Sequence, residues 1–447
     1  MIPCPLSRLW WRRYISRNAD SWQELEDFPR QTPAAQKSLL ARRLLDQIQY
    51  FGRREDALPE WREAAAIQDP AELWRIWTSL PVMGKSHLQN HFIASEIGAR
   101  FSIAGKVNAS GGSTGEPVTF FHDAAMLRKA MAASLYIHQQ MGWTPGMPVL
   151  IIWGSDRDIR KDTTWQNRVH ATLRNEQLLA GYKMTPQLID SVLDLARRNR
   201  PVCIYGFTSM LEYVARGVLE TNRALPPGYV RAAWNGGEML FPEQSEAFRK
   251  AFGVPILNRY GGRELSAMAC QFEDGGPLHV LRPWVFVEVV NDRNQPASPG
   301  EPGRLLLTST INRGTPFLRY EIGDLGTYVT THQTEAGITA LDSLQGRVSG
   351  LLRLPNGKVI QNLYWNHLIK EFPEVNQFQV VFGAAGDIVL LLKGRGFEPA
   401  REKHLLDTLR FMVGDDIAVS VRWVEEIPRT AQGKLVQVVR EASASRN

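Results

Sequence analysis

The chain has 447 residues, of which 44% are hydrophobic and 22% charged; such a chain is globular, spans two or three domains and needs no disulfide or metal to hold its core. Its formal charge is +6, from 52 Lys and Arg against 46 Asp and Glu in no continuous basic run, which argues only weakly for nucleic acid and equally well for a phosphate-bearing substrate. The three cysteines, Cys4, Cys203 and Cys270, form no CxxC pair, which favours a reducing cytoplasm over a disulfide scaffold.

The N-terminal segment Leu6 to Tyr14 mixes arginines with Trp10 and Trp11. It could lie on a membrane surface, but a solvated amphipathic helix is the favoured interpretation. No signal-peptide core follows it, and no apolar run approaches the roughly 20 residues of a transmembrane helix. We therefore expect a cytoplasmic protein with no membrane span and no nucleic acid partner.

Prolines interrupt a helical and loop-rich pattern up to about residue 100, and short apolar runs then alternate with amphipathic stretches. The apolar runs, which we predict to be strands, are Val149 to Trp153, Val202 to Tyr205, Tyr229 to Trp234 and Val254 to Tyr260. The helical stretches are Asp123 to Met141, Ser209 to Thr221 and Pro242 to Phe252. This alternation predicts an α/β fold with a mostly parallel, covered sheet, and the glycines that follow the strands lie where such sheets bind ligands.

Beyond about residue 278 the pattern changes to strands and turns, and beyond Gly346 it predicts a compact α+β unit. The predicted strands of the first part include Val285 to Val290 and Arg304 to Thr310. The unit after Gly346 should contain a hairpin over Leu351 to Ile360 around Asn356-Gly357, helices over Asn362 to Glu371 and Glu398 to Met412, and strands at Gln377 to Phe382, Ile388 to Lys393 and through Trp423. We therefore expect a large N-terminal domain over residues 1–345 and a small C-terminal domain over 346–447.

The segment Asn108 to Pro117 is rich in Gly, Ser and Thr and precedes an apolar strand, Val118 to Phe121. Its backbone N–H groups and hydroxyls suit phosphate oxygens. It has no lysine and no following helix, so it is not a P-loop. Gly111 to Gly115 also matches the letters of a hydrolase nucleophile elbow around Ser113, although the strand-like context disfavours that reading. A plain hairpin turn is the third interpretation.

Four further segments carry groups that suit ATP and a carboxylate. They are Gly236-Gly237-Glu238, Asn258 to Glu264, Pro316 to Asp324, and Pro428 to Lys434. In this order, with the glycine-rich loop, they resemble the adenylate-forming superfamily of acyl-CoA synthetases, adenylation domains and luciferases. The loop and the Leu318 to Gly326 wording are most similar to the phenylacetate–CoA ligase branch, and within it to relatives found beside capsule-polysaccharide genes.

The resemblance implies a role for each motif. Ser110, Gly111, Gly112, Ser113, Thr114 and Gly115 would close over the β- and γ-phosphates, and Gly236, Gly237 and Glu238 would line the adenine slot, with Tyr260 and Gly261 beside the base. Glu264 would help to bind Mg²⁺, and Asp324 would accept hydrogen bonds from the ribose hydroxyls. Arg347 would reach ribose or phosphate, and Lys434 would bring positive charge to the reacting oxygens. Alone, Asp324 could be a turn residue, Glu264 a solvated carboxylate and Lys434 a surface lysine.

The chain departs from that family at several positions. Glu116 stands where the phosphate loop commonly has Lys, and Gly350 stands three residues after Arg347, where relatives have Asp or Lys at the hinge. Glycine permits the domain swing that the family uses, but the balance of the two poses and the second half-reaction come into question. Leu354 to Lys358 also lacks the glycine-rich sequence of dedicated CoA ligases.

Two other groups of residues have both a functional and a structural interpretation. Cys270, Glu273 and His279 could bind zinc, but without a fourth ligand or second Cys we favour a structural role, with His279 a partly buried strand residue. Trp153 and Phe207 could form the base of a pocket that binds an aromatic acid, or they could belong to the hydrophobic core.

We expect an AMP-forming acid ligase that uses ATP, Mg²⁺ and a small-molecule carboxylic acid, with coenzyme A as the favoured acyl acceptor. An amine or hydroxyl acceptor (an amino acid, an amino sugar or a carrier arm) is the alternative within the class. A non-catalytic nucleotide-binding relative and a serine hydrolase acting through Ser113 are the alternatives outside it. The sequence leaves the acid and the oligomeric state open, a homodimer being one option.

Overall fold

A computed structural model describes residues 4–110, 118–153, 165–181, 185–346, 438–440 and most of 351–427 (without 357, 362–364, 366–367, 370, 373 and 384–385). It has a mixed α/β architecture with a large N-terminal part and a small C-terminal α+β part, as the sequence predicts. The boundary near residue 346 stays a prediction. No helix in the described ranges combines the length and apolar character that a bilayer crossing requires.

The first hundred residues form helices, as the proline-punctuated pattern indicates. They are α1 (Cys4–Arg17), α2 (Ala19–Asp27), α3 (Pro33–Gly52), α4 (Pro59–Ala64), α5 (Pro70–Ile76), α6 (Lys85–Asn90) and α7 (Ala94–Arg100). Helix α3 begins where it does because the Thr32 hydroxyl accepts the Ala35 N–H and Pro33 occupies the first turn. On α1, Trp11 is buried against Trp143 while Leu6 and Leu9 are exposed, so one face of the predicted amphipathic helix joins the core.

A five-stranded parallel sheet forms the centre of the N-terminal part, with strand order β4-β3-β5-β6-β7. Its strands are β3 (Val149–Ile152), β4 (Glu176–Leu179), β5 (Val202–Gly206), β6 (Val230–Asn235) and β7 (Ile256–Leu257). The associated helices are α8 (Ala124–Gln140), α9 (Trp165–Arg174), α10 (Pro186–Arg198), α11 (Thr208–Glu220) and α12 (Pro242–Phe252). Leu150 and Ile204 face the core built by α10 to α12, whereas Cys203 and Trp234 face α8. Both sheet faces are therefore covered, as expected for apolar parallel strands.

Antiparallel strands make up the rest of the N-terminal part. They are β1 (Gly105–Ala109), β2 (Thr119–Asp123), β8 (Arg259–Gly262), β9 (Ser266–Cys270), β10 (Leu278–Val280), β11 (Val285–Val290), β12 (Gly303–Ser309), β13 (Tyr320–Thr327), β14 (Gln333–Thr334), β15 (Gly337–Ile338), β16 (Ala340–Leu341) and β17 (Ser343–Gly346). Two four-stranded sheets result, with orders β16-β10-β9-β8 and β11-β12-β13-β17, beside the pairs β1-β2 and β14-β15.

The C-terminal part contains the sheet β22-β21-β20-β23, the hairpin β18-β19 and one long helix. Its elements are β18 (Leu351–Arg353), β19 (Val359–Gln361), β20 (Val375–Phe382), β21 (Ile388–Gly394), α13 (Pro399–Val413), β22 (Val419–Trp423) and β23 (Val438–Arg440). Its core, which includes Trp365, Leu390 and Leu409, draws on residues from 352 onward. Trp365, Leu368 and Ile369 are helical and buried, and the rest of the predicted helix over Asn362 to Glu371 lies largely outside the described residues.

One predicted strand was wrong in its extent. Val254 to Tyr260 is not continuous: Ile256 and Leu257 close the parallel sheet, and Arg259 begins β8 in an antiparallel sheet. The break follows from Asn258, whose backbone bonds to Gln271 rather than to β6. The sequence pattern did not predict strand β1, strand β4 or helix α10.

Candidate functional site

The glycine-rich segment connects two antiparallel strands. Ala109 of β1 pairs with Thr119 of β2. Next to that pair, Ser110 N donates to the Val118 carbonyl (2.8 Å) and Val118 N donates to Ser110 Oγ (2.9 Å). The predicted phosphate-binding residues Gly111, Gly112, Ser113, Thr114 and Gly115, together with Glu116, lie outside the described residues. A nucleophile elbow requires a strand-to-helix turn, whereas the strands on either side of this segment pair as an antiparallel hairpin, which disfavours the hydrolase interpretation of Ser113.

A buried asparagine connects three segments at the end of β6. Asn235 Nδ2 donates to Thr208 Oγ1 (2.9 Å) at the start of α11 and to the Glu238 carbonyl (3.0 Å). Its Oδ1 accepts the Arg259 backbone N–H (2.9 Å) at the start of β8. The sequence assigns Asn235 no role of its own, although a fully buried side-chain amide must find partners on both its ends. It fixes the spacing between the two predicted nucleotide-binding turns.

The glycines of the Gly236-Gly237-Glu238 turn permit close packing. A Cβ on Gly236 would lie 2.8 Å from the Tyr205 hydroxyl, and Gly237 has a φ of +76°, which favours glycine. The Glu238 carboxylate accepts hydrogen bonds from Ser209 N (2.7 Å) and Ser209 Oγ (3.0 Å) at the N-terminus of α11. Burial raises the pKa of Glu238 to about 7, and the Ser209 hydrogen bonds oppose that shift. Its side chain thus caps α11 and positions the turn.

Two predicted nucleotide-binding residues from different sheets are in direct contact. Tyr260 Oη on β8 donates to Asp324 Oδ2 on β13 (2.8 Å), across 64 positions of sequence. A β-bulge follows Tyr260, and a Cβ on Gly261 would lie 2.7 Å from the Ser266 carbonyl. The bulge therefore requires glycine beside the tyrosine ring.

Glu264, the predicted magnesium ligand, is buried in the turn between β8 and β9. Its Oε2 lies 2.9 Å from the position of a Cβ on Gly262, and its backbone carbonyl accepts a hydrogen bond from His122 Nε2 (2.7 Å). Burial lowers the pKa of His122, so the imidazole is neutral and its Nε2 proton holds this turn against β2. His122 had no sequence signal beyond its place after an apolar run.

The motif around Arg319 builds the core rather than the site. Arg319 is 1% exposed, has a φ of +47° and donates to Glu288 at 3.2 Å, to the Thr78 carbonyl at 2.7 Å and to the Leu80 carbonyl. Burial raises the pKa of Glu288, which also accepts from Trp77. This buried pair ties the helical N-terminal segment to β11 and β13, which carries Asp324.

The proposed zinc ligands are arranged as neighbouring strand residues. Cys270 and His279 pair across β9 and β10, and the His279 ring stacks on Phe272 with centroids 4.2 Å apart. Burial raises the pKa of Cys270 to about 12, which disfavours the thiolate that a metal requires. Within the described ranges, no three His, Cys, Asp or Glu side chains converge as a metal site. Arg347, Gly350 and Lys434 lie outside the described residues.

Two family models match successive parts of the chain: the AMP-binding enzyme family over residues 110–312 and the CapK C-terminal domain over residues 352–441. These matches support the adenylate-forming superfamily, as the motifs of the chain predict. The chain is also similar in sequence to Protein CapK of Staphylococcus aureus, with 23% identity over 340 residues, 73% of this chain and 72% of that protein.

Solved structures of adenylate-forming ligases share this fold. The 2-hydroxyisobutyryl-CoA ligase in complex with 2-HIB-AMP and CoA in the thioesterification state superposes with a TM-score of 0.58 at 17% identity, covering 92% of this chain and 91% of that one. The same ligase in its postadenylation state with 2-HIB-AMP gives a TM-score of 0.54 at 16% identity, with 91% and 90% covered. At these identities the likeness establishes the fold alone.

Proposed function

We propose that this protein activates a carboxylic acid with ATP as an acyl-adenylate, releases pyrophosphate, and transfers the acyl group to coenzyme A. The hydrogen bond of 2.8 Å between Tyr260 and Asp324 carries the proposal, because it joins two motifs that were assigned to nucleotide binding separately. The AMP-binding family match supports the first half-reaction. Support for coenzyme A as the acceptor comes from the fold shared with an acyl-CoA ligase.

In the first half-reaction a carboxylate oxygen of the acid attacks the α-phosphorus of ATP, and the bond to the bridging oxygen of pyrophosphate breaks. Tyr260 donates to Oδ2 of Asp324 and so orients that carboxylate, whose several acceptor positions suit the two ribose hydroxyls. Lys434 would stabilise the negative charge that develops on the α-phosphate and carboxylate oxygens. In the second half-reaction a thiolate attacks the acyl carbon and AMP leaves.

Glu264 fits one ligand position of Mg²⁺. Glu264 is 6% exposed and its Oε2 lies beside Gly262, and the turn that carries it is held through His122. Mg²⁺ commonly takes one or two protein carboxylates and completes its shell with phosphate oxygens and water. A bound ion would neutralise charge on the departing pyrophosphate. A single buried carboxylate therefore suits an ion that arrives with ATP.

Pyrophosphate release with Mg·ATP and a panel of acids tests the proposal, with Lys434→Ala as the variant and Lys403→Ala, an exposed lysine on α13, as its control. We expect release that depends on one class of acid, that Lys434→Ala reduces at least about 100-fold and that Lys403→Ala leaves unchanged. Formation of a thioester on addition of coenzyme A would identify the acceptor. Amide or ester formation with an added amine or alcohol instead would replace coenzyme A, and absence of ATP binding would overturn the whole proposal.

Tyr260→Phe provides an independent check on the nucleotide site. It removes one hydroxyl and leaves the ring, so the Asp324 carboxylate loses a donor. Because hydrogen bonds to charged groups contribute about 1.5–3 kcal/mol, we expect ATP to bind roughly tenfold or more weakly. Unchanged ATP affinity would separate this contact from nucleotide binding.

A further inference from the structure

Arg259, which precedes Tyr260 on β8, carries a charge with no opposite charge beside it in the part of the chain that the structure describes. Successive residues of a strand face opposite sides, so Tyr260 points to Asp324 while Arg259 points to α8, where its Nη2 donates to Ser134 Oγ (3.4 Å). Its Nε is buried without a hydrogen-bond partner among the described residues, and within those ranges no carboxylate forms an ion pair with it. Arg259 as a whole is partly buried, but a buried donor without a partner is costly unless a group of opposite polarity reaches it.

Aromatic rings form the wall next to Arg259. The His138 ring, one turn after Ser134 on α8, lies tilted against Trp234 with centroids 4.7 Å apart, and Trp234 stacks on Tyr205 at 6.1 Å. Burial and the nearby Arg259 charge lower the pKa of His138 to about 3, so His138 is neutral and adds no positive charge to that of Arg259. Trp234 is fully buried, yet its Nε1 has no hydrogen-bond partner in the described ranges.

This cluster of Ser134, His138, Tyr205, Trp234 and Arg259 (the α8-side cluster) adjoins the proposed nucleotide site. The Tyr205 hydroxyl lies against Gly236 of the adenine-slot turn, and Asn235 binds the backbone of Arg259. The cluster also lies at the carboxyl ends of β5 and β6, the edge where parallel sheets bind ligands. A substrate held between the α8-side cluster and the proposed nucleotide site would have its carboxylate near the nucleotide and its other end near Arg259.

The rings leave polar edges rather than open faces. Trp153 stacks on Phe207 with centroids 3.7 Å apart and on Tyr205 at 5.2 Å, and Trp234 lies between Tyr205 and His138. The ring faces are therefore occupied by one another, which argues against a stacked aryl group or a long aliphatic chain. Two buried hydrogen-bond donors of the cluster, Arg259 Nε and Trp234 Nε1, have no partner among the described residues.

We propose that the acid activated by this enzyme is short and carries a second hydrogen-bond-accepting group, a hydroxyl, keto or second carboxylate oxygen, which Arg259 recognises. The inference rests on the proposed adenylation. A site built to pair a polar substrate group discriminates strongly against the analogue that lacks it, because its own donors are then left unpaired. Arg259 thus acts as the specificity-determining residue on the side of β8 opposite the nucleotide.

Acid-dependent pyrophosphate release by the full chain tests this, using propanoate, lactate, pyruvate, malonate and succinate beside hexanoate and phenylacetate. We expect the best substrate among the short polar acids. In Arg259→Gln, kcat/KM for that acid should fall about 10- to 100-fold, the range that a lost charged hydrogen bond gives, while the value for its unsubstituted parent changes less than threefold. Arg259→Lys should restore part of the selectivity, and Arg216→Gln, an exposed arginine on α11, should leave it intact.

ATP titration of Arg259→Gln keeps the result interpretable, because retained ATP affinity shows that the variant is folded. Preference of the wild type for hexanoate or phenylacetate, or a polar-to-parent ratio unchanged in Arg259→Gln, would overturn the assignment of Arg259 while leaving adenylation in place. Absence of release with every acid would instead count against the proposed function itself.

Discussion

Replacing Asn235 with alanine tests whether one buried side chain organises the site. The amide makes three hydrogen bonds of 2.9–3.0 Å, to Thr208 Oγ1, the Glu238 carbonyl and the Arg259 N–H. The Thr208 hydroxyl also donates to the Glu238 carbonyl at 3.4 Å, so that carbonyl keeps a partner and the Arg259 N–H is the backbone group left without one. At about 1–3 kcal/mol for a stranded buried group, the free energy of unfolding should fall by about 1–3 kcal/mol.

Urea unfolding of wild type and Asn235→Ala measures this loss. Asn90→Ala, at the exposed end of α6, is the matched control and should stay within about 0.5 kcal/mol of wild type. Asn235→Asp keeps the shape but sets a carboxylate oxygen against the Glu238 carbonyl, so it should also destabilise. Because the turn and β8 lose their common tether, ATP-dependent pyrophosphate release should fall in both variants. A loss below about 1 kcal/mol with unaltered kcat/KM in Asn235→Ala would refute the organising role.

Three further predictions follow from buried contacts. Since burial raises the pKa of Glu238 to about 7, the folded state binds the proton more tightly than the unfolded chain; the stability this contributes is complete below about pH 4.5 and is lost as the pH rises through about 7. Urea unfolding from pH 5 to 8 should therefore show wild type losing stability relative to Glu238→Gln, and parallel profiles would contradict this. Arg319→Met should cost about 3–5 kcal/mol by leaving Glu288 buried and unpaired, and the double variant with Glu288→Met should recover part of that in the same assay. Gly236→Ala should lower pyrophosphate release because its methyl group would lie 2.8 Å from the Tyr205 hydroxyl, and adding Tyr205→Phe should restore part of the release. If neither change altered pyrophosphate release, the backbone of the turn would be able to move enough to accommodate the methyl group.

The parts of the fold that could be predicted from sequence are those with local signals. Val285–Val290 and Pro242–Phe252 have the bounds that their apolar pattern and first-turn proline indicate. Strand β4 was missed because Glu176–Leu179 is short and half-buried, and β7 was merged with β8 because the break at Asn258 depends on Gln271, a partner on another strand. Continuity of an apolar run therefore does not establish continuity of hydrogen bonding.

The candidate site divides in the same way. Tyr260 and Asp324 could be predicted as nucleotide-binding residues from the sequence motifs that contain them, and the two side chains are in contact. Asn235, His122 and Arg259 could not, because their roles come from side-chain partners between 24 and 142 positions away. A motif identifies residues that face a ligand, whereas the residues that hold those in place are defined by packing between elements that are distant in sequence.

Strand β8 and Asn235 together suggest how one short segment could coordinate two substrates. Alternation along β8 directs Tyr260 toward Asp324 and Arg259 toward the α8-side cluster. Asn235 binds the backbone at Arg259 and the turn at Glu238, so a displacement of β8 would move both side chains at once. Attack on the α-phosphorus requires the acid and the nucleotide to be held within near-contact distance. We therefore expect Asn235→Ala to weaken the binding of the acid and of ATP together, whereas Arg259→Gln should weaken the acid alone and Tyr260→Phe the nucleotide alone. Isothermal titration of the three variants distinguishes this coupled arrangement from two independent sites, in which Asn235→Ala would affect only one ligand.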